Sequence, residues 1–148
     1  GGLYDAMNKG IELSNGDIVG MLNSDDFYID EFVIENVIKE FEAKDVDSVY
    51  ADLVYVNPGN LDKVVRFYDS SYFSPENFAY GWMPAHPTFF VKKEIYERYG
   101  VFRTDLKIGA DFDILVRFLY IYNISFSYMR EVLVKMRTGG VSTSFNSI

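Results

Sequence analysis

Asp17-Ile18-Val19-Gly20-Met21-Leu22-Asn23-Ser24-Asp25-Asp26-Phe27-Tyr28 is the stretch on which the reading of this chain turns. A continuous apolar run from Ile18 to Leu22 stops at Asn23-Ser24-Asp25-Asp26. Short unbroken apolar runs of this kind read as strands buried on both faces, as in a parallel sheet. Two adjacent carboxylates raise each other's proton affinity unless a cation relieves them. Where a buried strand ends, they offer oxygen ligands to Mg or Mn. Asn, Ser and Asp are also the ordinary residues of turns and helix caps. On spacing alone a cation site and a simple turn stand level.

Helical spacing precedes this stretch. Leu3, Met7, Gly10 and Ile11 recur on one face, with Tyr4 beside them, and Asn15-Gly16 reads as the stop, glycine taking a left-handed cap. Asn8 and Lys9 lie on that helix just ahead of the strand, within reach of a diphosphate; for Lys9 a solvated face is an equal reading. After the acidic cluster, Asp30 caps a second helix whose apolar face is read as Ile34, Val37, Ile38 and Phe41.

Ser48 to Val56 is a β-rich run, Asn57-Pro58-Gly59-Asn60 a turn, and Val64 to Tyr68 a returning hairpin arm. Ser70 to Trp82 has no period and many aromatic residues, so it reads as a loop or short helical turn. A short strand, Thr88 to Val91, a helix from Glu94 to Tyr99 ended by Gly100, a longer helix opened by Ile108-Gly109-Ala110-Asp111 with Phe112, Leu115, Val116 and Leu119 as its stripe, and strands at Ile124 to Tyr128 and Val132 to Met136 complete the order. Gly139 to Ile148 is polar and expected to be loose. Strands alternating with helices imply an α/β sheet, parallel at its centre with antiparallel additions, in one domain spanning residues 1–148. Open α/β sheets bind ligands at the carboxyl ends of their strands, where the acidic cluster lies.

Composition narrows the function. With 14 Lys and Arg against 22 Asp and Glu, the net charge of −8 disfavours nucleic-acid binding. There is no cysteine and only one histidine, so thiolate chemistry and a multi-histidine zinc site are excluded within the chain. No apolar run reaches the roughly 18 residues of a membrane span. The 12 Tyr and 13 Phe read mainly as core, a minority as a wall for a sugar.

Three further positions carry candidate chemistry. Asp111 opens a helix and reads either as an N-cap or as a general base at the mouth of a site, position alone favouring the cap; in the second reading Asp113 orients the first turn. His86, in Met83-Pro84-Ala85-His86-Pro87-Thr88, is held out by two prolines and is a candidate for contact with phosphate or acceptor. Trp82 on the same loop can stack on a sugar, and is as often simply packed.

The ordered set Gly2-Leu3-Tyr4-Asp5-Ala6-Met7-Asn8-Lys9-Gly10-Ile11, Ser14-Asn15-Gly16-Asp17-Ile18, Leu22-Asn23-Ser24-Asp25-Asp26-Phe27-Tyr28, Tyr50-Ala51-Asp52-Leu53, His86-Pro87-Thr88-Phe89-Phe90 and Ala110-Asp111-Phe112-Asp113-Ile114 resembles a family-2 glycosyltransferase of the GT-A fold, of the type that serves bacterial polysaccharide and O-antigen synthesis. The resemblance implies inverting transfer from a nucleotide-diphosphate sugar to a saccharide or lipid-linked acceptor. Asn23-Ser24-Asp25 takes the place of the family's DxD motif, with Asn23 for its first acid; Asp25 and Asp26 would hold Mn or Mg on the donor diphosphate, with Asn8, Lys9 and Asn23 near it. Asp111 would be the base, with Ala110 in place of the family's preceding acid. Trp82, His86 and Asp113 would meet acceptor or phosphate, and Tyr72 to Trp82 would form the acceptor platform. The family's N-terminal βαβ units are missing from this sequence, so the resemblance implies a partial GT-A fold, a mixed sheet flanked by helices. It further implies a C-terminal piece inactive by itself and prone to self-association, from an enzyme of the cytoplasm or the inner membrane face. The rival readings are a non-catalytic nucleotide-sugar or saccharide binding module and, further off, a metal-dependent phosphoryl hydrolase.

Overall fold

Period-2 burial along one strand organises the molecule. In the computed structural model, which describes residues 2–138, Ser48–Asn57 forms a strand whose odd positions, Val49, Ala51, Leu53 and Tyr55, pack into one core while Tyr50 enters another on the opposite face. The chain reaches it through α1 (Leu3–Leu13), β1 (Ile18–Gly20), β2 (Asp26–Tyr28) and α2 (Val33–Lys44), which makes this strand β3. There follow β4 (Asn60–Tyr68), 3-10 turns at Pro75–Tyr80 and His86–Thr88, β5 (Phe90–Lys92), α3 (Lys93–Tyr99), α4 (Ala110–Val116) continuing into a π turn at Arg117–Ile121, and β6 (Phe126–Arg137).

The six strands make one mixed sheet in the order β1-β5-β3-β6-β2, with β4 also paired to β3. β3 and β6 are parallel at its centre; every other pairing is antiparallel. α2 covers one face through Val33, Val37 and Phe41, spaced four apart, and α1, α3 and α4 cover the other around Tyr50, Ile95, Ile114 and Phe118. Each fully buried side chain of this size contributes about 1.5–3 kcal/mol. The expected α/β architecture, parallel at its centre with antiparallel additions, is the architecture found.

Several local expectations are corrected. β1 spans only Ile18–Gly20 and pairs antiparallel with β5; it is not a parallel strand buried on both faces, since Ile18 is half-buried and Gly20 exposed. The ring of Phe90 lies over Gly20, where a Cβ would come within 2.5 Å of it. Helix α1 stops at Ser14, two residues before Gly16: the Ser14 hydroxyl donates to the Ile11 carbonyl at 2.8 Å and its backbone is extended. Asp30 does not cap α2 directly. It accepts the Phe32 N–H at 2.8 Å in a turn that leads into Val33. The buried stripe of α2 is Val33, Val37 and Phe41, with Ile34 and Ile38 exposed. The segment from Thr88 begins as a 3-10 turn, and its strand starts at Phe90. Leu115 and Leu119 are buried on the α4 stripe as expected, but Ala110, Ile114 and Phe118 complete it, and Phe112 and Val116 are only partly buried. The two expected closing strands are one: β6 runs through Met129-Arg130-Glu131 with a register break opposite Asp52. The expectation for Gly139 to Ile148 lies outside the described residues.

Candidate functional site

Six separated segments converge on a cavity of about 50 Å³: α1, the loop after β1, β3, the end of β4, the His86 turn and the start of α4. Its wall carries the polar groups of Tyr4, Asn23, Tyr55, Tyr68, His86 and Asp111; Leu3, Met7, Leu53 and Met83 supply part of the apolar wall. Asn23, His86 and Asp111, candidates from three parts of the sequence, are therefore neighbours in space.

A buried polar lattice fixes the His86 turn against β3. The Thr88 hydroxyl accepts the Ala51 N–H at 3.0 Å and lies 2.7 Å from the Ala85 carbonyl, to which it can donate. Ser70 Oγ accepts the Ala85 N–H at 3.1 Å, and Asp52 Oδ1 accepts the Ser70 N–H at 2.8 Å. Asp52 Oδ2 accepts from the Tyr128 hydroxyl at 2.7 Å. Asp52, 4% exposed, thereby anchors the turn through two hydrogen bonds without lining the cavity itself. Sequence reasoning did not single it out; the signal was an acid inside the otherwise apolar run of β3.

His86 corrects an expectation. Its two flanking prolines suggest exposure, yet it is only 7% exposed, packed edge-on to Phe102 with ring centroids 5.7 Å apart. Burial pushes its imidazole below the usual histidine range, while the charge of Asp111 pulls partly the other way. Asp111 lies on the first turn of α4 but is not its cap: Gly109, at φ 82°, holds that position, and Asp111 Oδ1 accepts the Phe112 N–H at 3.0 Å. The Tyr4 hydroxyl faces the backbone of Gly109, Ala110 and Asp111, and burial with the Asp111 charge raises its affinity for its proton. Tyr4 was not a sequence candidate as a site residue; its only mark is a polar-tipped ring on the buried side of α1.

The acidic cluster divides. Asn23 reaches the cavity, Asp25 is half-buried on the turn, and Asp26 is the first residue of β2, 8% exposed. Burial, reinforced by the charge of Asp25, pushes the Asp26 carboxyl up to about 6, against smaller opposing effects from Arg137 and Asn23. Asp26 Oδ2 is buried without a hydrogen-bond partner. Among the described residues no group of three or more His, Asp or Glu side chains gathers as a ready cation site. Asp25 and Asp26 do not line the cavity.

The other candidates lie elsewhere. The Asn8 amide clamps α1 to the segment before α4: it donates to the Phe102 carbonyl and accepts the Phe102 N–H, both at 2.9 Å. Lys9 faces solvent and pairs with Asp5 at 3.5 Å. Asp113 pairs with Arg117, whose guanidinium also donates to the Val101 carbonyl at 2.9 Å. None of these three lines the cavity. Trp82 is 59% exposed on a second depression of about 470 Å³, with Arg66, Phe67, Tyr72 and Tyr80. Tyr68 and Met83 line both depressions, and the Tyr68 hydroxyl donates to the Met83 carbonyl at 2.7 Å. The aromatic loop is pinned beneath by Phe73 and Phe78, 5.0 Å apart, and by a 3-10 turn capped reciprocally by Ser74 and Asn77.

The model of glycosyl transferase family 2 matches residues 1–100. The chain belongs to glycosyl transferase family 2. A search of curated proteins finds no match. Among solved structures, S. aureus TarS residues 1–349 in complex with UDP-GlcNAc aligns with a TM-score of 0.72 at 16% identity, over 97% of this chain and 41% of that one. The same TarS segment in complex with UDP aligns with a TM-score of 0.69 at 15% identity, over 93% and 40%. A longer S. aureus TarS structure aligns with a TM-score of 0.72 at 17% identity, over 93% of this chain and 25% of that one. At these identities the likeness is one of fold, and it makes this mixed sheet a partial GT-A fold. The chain spans about two fifths of TarS 1–349. Among the described residues no helix is long and apolar enough to cross a membrane.

Proposed function

We propose that this family-2 chain carries the acceptor-side catalytic groups of an inverting glycosyltransferase, which moves a sugar from a nucleotide-diphosphate donor to a saccharide or lipid-linked acceptor in cell-surface polysaccharide synthesis. The observation that carries this reading is the meeting of Asp111, His86 and Asn23 around one cavity. The capture of UDP and UDP-GlcNAc by TarS supports a nucleotide-sugar donor.

In this reading Asp111 takes the proton of the acceptor hydroxyl as its oxygen bonds to the anomeric carbon, and the nucleoside diphosphate leaves with the electron pair. Attack opposite the leaving group inverts the configuration. The trough of Phe67, Tyr72, Tyr80 and Trp82 seats the acceptor, because exposed rings beside a few polar groups suit the apolar face of a sugar. Asp52, Ser70 and Thr88 hold the turn between the two depressions.

The residues fit a divalent cation on one count. The partnerless Asp26 Oδ2 beside the Asp25 charge is an arrangement that a cation would relieve. Two carboxylates suffice for Mg or Mn when substrate phosphates complete the shell. When bound, such an ion would offset charge on the diphosphate. NMR of the first product formed tests the reaction class: inversion of the donor's anomeric configuration is expected, and retention would remove Asp111 from the role of base.

A further inference from the structure

Of the six polar side chains around the catalytic cavity, five are already engaged. The Tyr4 hydroxyl meets the backbone at the start of α4, Asn23 hydrogen-bonds the Asp26 carboxylate, the Tyr68 hydroxyl donates to the Met83 carbonyl, Asp111 accepts the N–H of Phe112, and Tyr55 is not free either. His86 is the exception. It is buried and lines the cavity, and its ring makes no hydrogen bond to any described residue; its neighbours are the edge of Phe102 and the charge of Asp111. A ring nitrogen on the cavity wall is open to a partner that enters the cavity. The surrounding lattice gives its turn no freedom to seek one, since Thr88 and Ala85 are both tied down.

The chemistry of the space chooses the partner. About 50 Å³ has room for a hydroxyl group or a few waters. Asp111 as a carboxylate can only accept hydrogen bonds, whereas a neutral imidazole offers one N–H and one lone pair. A hydroxyl can satisfy both: its hydrogen goes to Asp111, one oxygen lone pair accepts the His86 N–H, and the second lone pair is left for bonding. A phosphate oxygen would favour a cationic imidazole, which burial opposes.

We propose that His86 binds the attacking hydroxyl together with Asp111, donating a ring N–H to the nucleophile's oxygen and aiming its free lone pair at the anomeric carbon. This rests on the transferase reading. His86 takes no proton in the step: the O–H bond breaks toward Asp111, the new C–O bond forms, and the leaving diphosphate keeps the electrons of the broken bond. The donor diphosphate therefore depends on groups other than His86.

The single histidine permits a test without the acceptor. Proton NMR of the one imidazole, titrated from pH 4 to 8, is expected to show a neutral ring at pH 7 and a midpoint below 6.5, lowered further by Asp111→Asn. A midpoint at or above 6.5, or one that Asp111→Asn leaves in place, would overturn the proposal. The second arm uses water as the nucleophile: slow release of UDP from UDP-GlcNAc by the longest natural chain containing these residues. His86→Phe, which keeps the volume, is expected to slow release about ten- to hundredfold with the donor KM unchanged, and His86→Gln to recover part of the rate. Equal rates, or a raised donor KM at constant kcat, would place His86 away from the nucleophile. If UDP-GlcNAc and the other common nucleotide sugars are not cleaved even by the unmodified protein, the transferase reading fails, and the titration still decides whether His86 and Asp111 act on one another as proposed.

Discussion

Asp26→Asn is predicted to stabilise the protein at neutral pH and to abolish a specific loss of stability with rising pH. An unfolded chain leaves an aspartate near 3.8, whereas the buried Asp26 carboxyl is held up to about 6. The unfolded state therefore releases its proton first. Stability is greatest below the unfolded value, falls as pH rises from about 4 to about 6, and is flat above. Each tenfold difference in proton affinity is worth about 1.4 kcal/mol, so the ionised native state is poorer by about 3 kcal/mol. Asparagine mimics the protonated acid in shape: its carbonyl can keep the Asn23 hydrogen bond, and its NH2 stands where the partnerless Oδ2 stood. The variant should match the parent at pH 3.5 and exceed it by about 2–3 kcal/mol at pH 7.5, roughly 5–10 °C in Tm for a chain of this size. Urea and thermal unfolding at half-unit pH intervals measure this. A difference that does not vary with pH, or a less stable variant at pH 7.5, would refute the reasoning. Millimolar Mn2+ should recover part of the deficit in the parent and none in Asp26→Asn if this carboxylate is a ligand.

Other perturbations probe other parts. Trp82 is the only tryptophan, so acceptor saccharide entering the trough should shift its emission to the blue, and Trp82→Ala should raise the acceptor KM about tenfold with donor release by water unchanged. Gly20→Ala would place a Cβ within 2.5 Å of the Phe90 ring and should cost about 1–3 kcal/mol in urea unfolding, loosening the loop that carries Asn23; an unchanged midpoint would show that the ring moves aside without penalty. Phe32, Ile34 and Ile38 form an exposed apolar strip by α2, so the chain should self-associate in light scattering at tens of micromolar, and Ile34→Lys with Ile38→Lys should reduce it.

Much of the architecture was legible because long elements repeat their signal. α1 and the β3–β4 hairpin carry many residues in register with their period, so single ambiguous positions do not change the reading. Short elements defeated it. β2 holds three residues, too few to separate a strand from a turn, so Asp26 read as a turn acid when it lies in the sheet. The polar Met129-Arg130-Glu131 looked like a gap because sequence cannot show a bulge that keeps a strand continuous. In α2 the phase slipped by one position: Val33 and Ile34 are equally apolar, and only the angle at which the helix docks decides which is buried.

The candidate site was legible in its residue types and not in its arrangement. Asp111, Asn23 and His86 could be named from the chain, but their meeting depends on long-range contacts that no local pattern encodes. Burial of His86 follows from the lattice of Asp52, Ser70 and Thr88, side chains that read individually as unremarkable strand and loop residues. A polar residue near a strand end looks alike in sequence whether it binds a ligand or holds the fold: Asn8 clamps Phe102, and Lys9 pairs with Asp5 in solvent.

Release of nucleoside diphosphate tests the central claim most directly. Nucleotide sugars are offered, with and without saccharide acceptors, to the longest natural chain containing these residues and to its Asp111→Asn variant, and donor binding is measured in parallel. The account predicts release coupled to a new glycosidic bond in the parent, and at least about a hundredfold loss in Asp111→Asn with donor binding kept. Transfer that survives Asp111→Asn undiminished would contradict it.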